Sequence, residues 1–79
     1  MSDIILPAFL DDQSEATIIS WYFDEGARVQ VGDELVEVMS NDVTYKIVAD
    51  TSGVLKGIQF QSGDVVAYLE KLAEISEDE

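Results

Sequence analysis

The 79-residue chain is predicted to be all-β, a sandwich or flattened barrel built from two similar halves. Three observations predict this. Glycines at 26, 32, 53, 57 and 63 cut the sequence into short segments rich in Val, Ile, Tyr, Phe and Trp, such as TIISWYF over 17–23. That is the pattern of many short strands joined by tight turns. No segment sustains a helical period. Finally, a shift of 37 positions lays ATIISWYFDEGARVQVGDELVEV, from Ala16, on GVLKGIQFQSGDVVAYLEKLAEI, from Gly53.

In that alignment Ile18 meets Leu55, Trp21 meets Ile58 and Phe23 meets Phe60. Gly26 meets Gly63, Val29 meets Val66, Leu35 meets Leu72, Glu37 meets Glu74 and Val38 meets Ile75. Neither half buries its apolar face alone, so the two are expected to pack face to face. The spacing from Ile18 to Trp21, and from Leu55 to Ile58, is three rather than an even number. Strict strand alternation has period two, so each half should carry a bulge or bend there. Gly57 lies inside the second of these intervals, where a strand glycine often marks a bulge or a close approach. Strands bent in this way pass between sheets and close a flattened barrel.

VMSNDVTYKI, residues 38–47, reads as a hairpin with a two-residue turn at Asn41-Asp42. Its register follows: Ser40 opposite Val43, Met39 opposite Thr44, Val38 opposite Tyr45, Glu37 opposite Lys46 and Val36 opposite Ile47. Val36, Val38, Tyr45 and Ile47 then face the core. Met39, Thr44, Glu37 and Lys46 face outward, with Glu37 and Lys46 expected to form an exposed cross-strand ion pair worth well under ~1 kcal/mol. The 37-residue shift carries Asn41-Asp42 to the last two residues of the chain. The tip and the termini are therefore expected at opposite ends of the barrel. Residues 1–75 form the domain and 76–79 an acidic tail or the start of a linker.

Composition narrows the function. There is no Cys and no His, which removes disulfides, thiolate metal sites, cysteine nucleophiles and the commonest general base. An enzyme active site is not expected. Seventeen acidic residues against four basic ones give a net charge of −13, which repels nucleic acid and anionic membranes and favours a basic protein surface. No apolar run reaches the ~20 residues of a membrane span, and MSDIILPAFLDD lacks the features of a signal peptide. The cytoplasm, or an organelle matrix after removal of a transit peptide, is the expected location. Asp11-Asp12 and Glu77-Asp78-Glu79 read as solvated charge, because neither belongs to a calcium-loop pattern. Trp21, Phe23, Ile58 and Phe60 read as core or rim packing. A monomeric domain is expected.

The chain resembles the lipoyl-attachment domains of 2-oxo acid dehydrogenase complexes and, more distantly, the biotinyl carrier domains. The residues that carry the resemblance run from Ile5-Leu6-Pro7 to Leu72-Ala73-Glu74-Ile75. They include Ala16-Thr17-Ile18-Ile19-Ser20-Trp21, Glu25-Gly26, Val31-Gly32-Asp33-Glu34-Leu35-Val36-Glu37-Val38, Ser52-Gly53-Val54-Leu55 and Ser62-Gly63-Asp64-Val65-Val66. The resemblance implies a flattened barrel of two four-stranded antiparallel sheets. It also implies an Asp-Lys-Ala hairpin tip whose lysine carries lipoic acid as a swinging arm. Here those three positions are Asn41, Asp42 and Val43, so the acceptor position holds a carboxylate.

A carboxylate does not form the lipoyl amide, which needs an amine as nucleophile. Lys46 is four residues along, in a strand, and Lys56 and Lys71 are not at turn tips. The family's early Pro-Asp-Leu-Gly-Glu-Gly segment also departs here, to Pro7-Ala8-Phe9-Leu10-Asp11-Asp12. In the family that loop contributes to recognition by partner enzymes. The expectation is a non-lipoylated, non-catalytic interaction module without a cofactor. Its partner-facing end would comprise Phe9, Leu10, Asp11, Asp12, Asn41 and Asp42, meeting 2-oxo acid dehydrogenase-type subunits or another basic protein surface. The alternative is a genuine lipoyl carrier of an acyltransferase component, bearing lipoate at a substituted or relocated acceptor.

Overall fold

A computed structural model describes residues 2–7 and 14–77. Eight strands follow in order: β1 (Ser2–Ile5), β2 (Glu15–Trp21), β3 (Arg28–Val29), β4 (Glu34–Ser40), β5 (Val43–Val48), β6 (Gly53–Lys56), β7 (Val65–Ala67) and β8 (Lys71–Ser76). They form two four-stranded antiparallel sheets with orders β1-β8-β6-β3 and β5-β4-β2-β7. The first is called here the terminal sheet and the second the tip sheet. Alternating side chains from both fill the space between them. Ile18, Leu35, Val36 and Val38 of the tip sheet meet Leu55, Leu72 and Ile75 of the terminal sheet in a single buried cluster. Full burial of each such side chain contributes ~1.5–3 kcal/mol, which is what holds two otherwise amphipathic sheets together.

The repeat extends to the hydrogen bonds. The Gly26 N–H donates to the Leu55 carbonyl at 2.7 Å, and the Gly63 N–H donates to the Ile18 carbonyl at 2.8 Å. Likewise Leu55 donates to Ala27 and Ile18 to Asp64. Each half thus closes its first turn on the other half's strand, so the halves interlock rather than stack. The expected bulge in β2 falls between Ile18 and Ser20. Its counterpart is more severe: β6 ends at Lys56, and Gly57 turns with φ +64°, beneath the Glu74 side chain.

One symmetry relation was not visible in the 37-residue shift. β1 stands in the terminal sheet where β5 stands in the tip sheet, with Ile4 in the place of Ile47. Ser2, Asp3, Ile4 and Ile5 face Ile75, Glu74, Ala73 and Lys71. Tyr45, Lys46, Ile47 and Val48 face Val38, Glu37, Val36 and Glu34, the same partners 37 positions earlier. The second half therefore borrows its outer strand from the start of the chain. Ser2 Oγ donates to Glu77 Oε2 at 3.0 Å across this junction, which holds the Glu77 carboxyl below its ordinary value.

Candidate functional site

The β4–β5 hairpin forms in the register expected from its alternation, from Ser40 opposite Val43 to Val36 opposite Ile47. Asn41 and Asp42 have φ of 52° and 62°. Two successive left-handed residues make a type I′ turn, whose twist matches that of the flanking strands. Asn and Asp tolerate this region better than other residues with a Cβ. Both side chains are exposed, as is that of Val43. Ser40 to Thr44 read Ser-Asn-Asp-Val-Thr, without a side-chain amine.

The tip is anchored from below. Ser40 is 2% exposed, and its hydroxyl shares a 2.5 Å hydrogen bond with the Tyr68 hydroxyl. Tyr68 belongs to the turn between β7 and β8, where Glu70 N–H donates to the Ala67 carbonyl. The same turn receives both flanks of the 8–13 segment: Leu69 N–H donates to the Leu6 carbonyl at 2.7 Å, and Tyr68 N–H donates to the Ser14 carbonyl at 2.9 Å. Hairpin tip, Leu6-Pro7 and Ser14 thus converge on one end of the barrel. Phe9, Leu10, Asp11 and Asp12, which the sequence assigns to the same surface, lie outside the described residues. β8 leads from this turn to Ser76 and Glu77, six residues or roughly 17–20 Å away. The tip and the outer strand ends at Ser2 and Ser76 accordingly lie at opposite ends.

The outward face of the hairpin corrects one expectation. Glu37 and Lys46 are cross-strand neighbours, but Glu37 Oε1 accepts the Tyr22 hydroxyl at 2.7 Å instead. That bond, above all, raises the Tyr22 pKa. Lys46 Nζ turns to Glu34 at 3.7 Å and lies 6.0 Å from the centre of the Tyr22 ring. The bulge in β2 brings Tyr22 over the hairpin, and its hydroxyl competes for the carboxylate. A directed hydrogen bond wins over a diffuse ion pair at an exposed site, where such pairs contribute little. Lys46 remains a mid-strand cation away from the tip.

Trp21, Phe23, Ile58 and Phe60 are partly buried against the core at the other end of β2, as rim packing requires. The Trp21 indole N–H donates to the Phe60 carbonyl at 2.9 Å. Among the described residues no group of three or more acidic side chains is placed to hold a metal ion. Two features of the tip end were not singled out from the sequence: the Ser40–Tyr68 bond, and a groove beside the tip lined by Glu15, Thr17, Met39 and Val65. Pairing the outward residues of β2 with those of β7 would have exposed the second.

The family model described as biotin-requiring enzyme, the biotin/lipoyl model, matches residues 2–75. The chain belongs to the biotin/lipoyl family. This family member is 35% identical over 77 residues to the dihydrolipoyllysine-residue succinyltransferase component of the 2-oxoglutarate dehydrogenase complex of Bacillus subtilis, covering 98% of this chain and 18% of that protein. It is also 35% identical over 74 residues to the same component from Rickettsia felis, covering 94% of this chain and 18% of that protein. It spans less than a fifth of the length of these relatives. The solution structure of the lipoyl domain of the 2-oxoglutarate dehydrogenase complex from Azotobacter vinelandii superposes with a TM-score of 0.83, at 26% identity and 98% coverage of both chains. The architecture is that of a lipoyl domain.

Proposed function

We propose that this lipoyl-type domain is not lipoylated at its hairpin tip and works as a non-catalytic protein-interaction module, related to the acyl carrier of 2-oxo acid dehydrogenase complexes. The observation that carries the reading is the chemistry of the tip. The turn residues are Asn41 and Asp42, both exposed and both in the left-handed conformation that a type I′ hairpin requires. A lipoyl or biotinyl group held through an amide needs an amine there, and the tip does not fit it. The chain has three lysines. Lys46 sits in β5 beside Glu34, Lys56 ends β6, and Lys71 opens β8 between Asp3 and Glu74. None is at a hairpin turn. The described surface left for a partner comprises Asn41, Asp42 and Val43, and the reading adds Phe9, Leu10, Asp11 and Asp12 from the sequence alone. Subunits of a 2-oxo acid dehydrogenase-type complex are the partner class this reading favours.

The test is modification in the presence of the attaching enzymes. The chain is co-expressed with a lipoate ligase and, separately, a biotin ligase, each with its cofactor, and the intact mass is read. An unmodified mass is expected. A lipoyl adduct, at Lys46 or any other lysine, overturns the reading in favour of a working swinging-arm carrier. Asp42→Lys is expected to create an acceptor, seen as one added lipoyl mass, because it places an amine on the exposed two-residue turn of a regular hairpin.

A further inference from the structure

The repeat supplies an internal control for the outer face of the tip sheet. In that sheet Thr17 of β2 lies between Met39 of β4 and Val65 of β7. In the terminal sheet Val54 of β6 lies between Ser76 of β8 and Arg28 of β3. These are the same backbone positions, related by the 37-residue shift. One row reads Arg28–Val54–Ser76; the other reads Val65–Thr17–Met39. The terminal sheet therefore flanks its central residue with a cation and a hydroxyl. The tip sheet flanks it with two apolar side chains, Met39 at 37% and Val65 at 55% exposure. Backbone geometry is shared, so it does not account for the difference.

The Val65–Thr17–Met39 row floors a groove of about 270 Å³ that runs up to Asn41 and Asp42 and is bordered by Glu15. Among the described residues its lining contains two carboxylates and no cation. The floor is held in place because Ser40, next to Met39, is tied to Tyr68. We propose that this groove docks an extended segment of a partner protein in which an aliphatic side chain adjoins a lysine or arginine. The aliphatic group covers Met39 and Val65, and the cation meets Asp42 or Glu15. Charge selects this occupant. With a net charge of −13, a second copy of this chain or an acidic segment would be repelled, while a basic one is steered toward the domain. The proposal deepens the interaction-module reading by giving that module a surface and a partner chemistry, and it rests on that reading.

The experiment titrates the isotope-labelled chain with three short synthetic peptides, alternating lysine–leucine, lysine–serine and glutamate–leucine. Salt is set near physiological strength, where the Debye length is about 8 Å and diffuse attraction is damped. The lysine–leucine peptide is expected to shift the amide resonances of Thr17, Met39, Asp42 and Val65, and to bind at least about tenfold more tightly than the other two. Met39→Ser with Val65→Arg installs the residues that the same backbone carries in the terminal sheet. It is expected to weaken that binding about tenfold with an unchanged unfolding midpoint. Met39→Ser alone serves if the double variant unfolds. Shifts spread evenly over the acidic surface, equal binding of the lysine–serine peptide, or unchanged binding by the folded variants each overturn the groove. The mass measurement is independent of these outcomes. An unmodified chain that fails to bind overturns this inference alone, and a lipoylated chain overturns the reading beneath it.

Discussion

The two halves of this domain share a backbone and differ on their surfaces. Leu35 and Leu72, or Val38 and Ile75, occupy equivalent positions and are all fully buried. The turn bonds are repeated to within a few tenths of an ångström. Outside the core, the same positions diverge. Asp3 meets Lys71 at 3.4 Å in the terminal sheet, and Lys46 meets Glu34 at 3.7 Å in the tip sheet, the same contact with its charges exchanged. Packing between the sheets tolerates few shapes, so it keeps the halves alike. An exposed ion pair works equally well in either sense, and an outer strand row needs no particular side chain. The difference between halves is therefore where specialisation is visible.

The sharpest test of that division is a position where the halves are alike in fold but not in residue. Ala16 of β2 is buried, and its counterpart Gly53 begins β6. A Cβ on Gly53 would fall 2.3 Å from the Ser76 carbonyl oxygen, a backbone atom with little freedom to move. Gly53→Ala is expected to destabilise the domain by about 3 kcal/mol, the upper part of the range for overpacking. Ala16→Gly should cost only about 1 kcal/mol. Urea unfolding of both variants decides it; equal effects would show that the β6–β8 approach is not closer than the β2–β4 one.

A second pair inverts this relation. Gly32 turns at φ +91°, and Leu69, in the same turn of the second half, does so at φ +71° with 67% of its surface exposed. A leucine in that conformation costs roughly 1–2 kcal/mol, and few contacts offset it. Leu69→Gly is expected to stabilise the fold by about 0.5–1 kcal/mol, part of the relief being returned as unfolded-chain entropy. Gly32→Leu, with open space around it, should destabilise by a similar amount. A loss of stability in Leu69→Gly would mean that the leucine makes a contact worth more than its strain.

The smallest expected effects are electrostatic. The Lys71 pKa is raised, first by its hydrogen bond to Glu74 and then, against the opposing effect of partial burial, by Asp3. The Tyr22 pKa is raised chiefly by its bond to Glu37. A raised folded value means stability fully present below the unfolded value, near 10.5 for lysine and 10.0 for tyrosine, and lost as pH rises through the folded one. Unfolding midpoints should therefore fall at strongly alkaline pH. Lys71→Met combined with Tyr22→Phe should flatten that fall; an unchanged slope would assign it to other groups.

Much of the hairpin was legible from its residues alone. Its register and its inward set of Val36, Val38, Tyr45 and Ile47 follow from alternation about a two-residue turn, because a slip by one residue would turn every apolar side chain outward. The repeat, with its uneven spacings at Ile18–Trp21 and Leu55–Ile58, likewise announced two interlocked halves and their bends. The lost ion pair between Glu37 and Lys46 was not legible, since the competitor is Tyr22, fifteen residues away from Glu37 in sequence and brought over it by the β2 bulge. The place of β1 beside β8 was hidden because it follows a different offset from the rest of the repeat. The tip residues Asn41 and Asp42 were named from the sequence, whereas the groove beside them needed three strands to be aligned.

Sequence by itself determined the elements, the pairing within the hairpin and the chemistry of the tip, because these depend on side-chain period and on functional groups present or missing. Tertiary structure decided which half lends a strand to the other and which acid each exposed cation meets. It also placed Val65, Thr17 and Met39 side by side. Those are contacts between residues far apart in the chain, fixed only when the two sheets close on a common core.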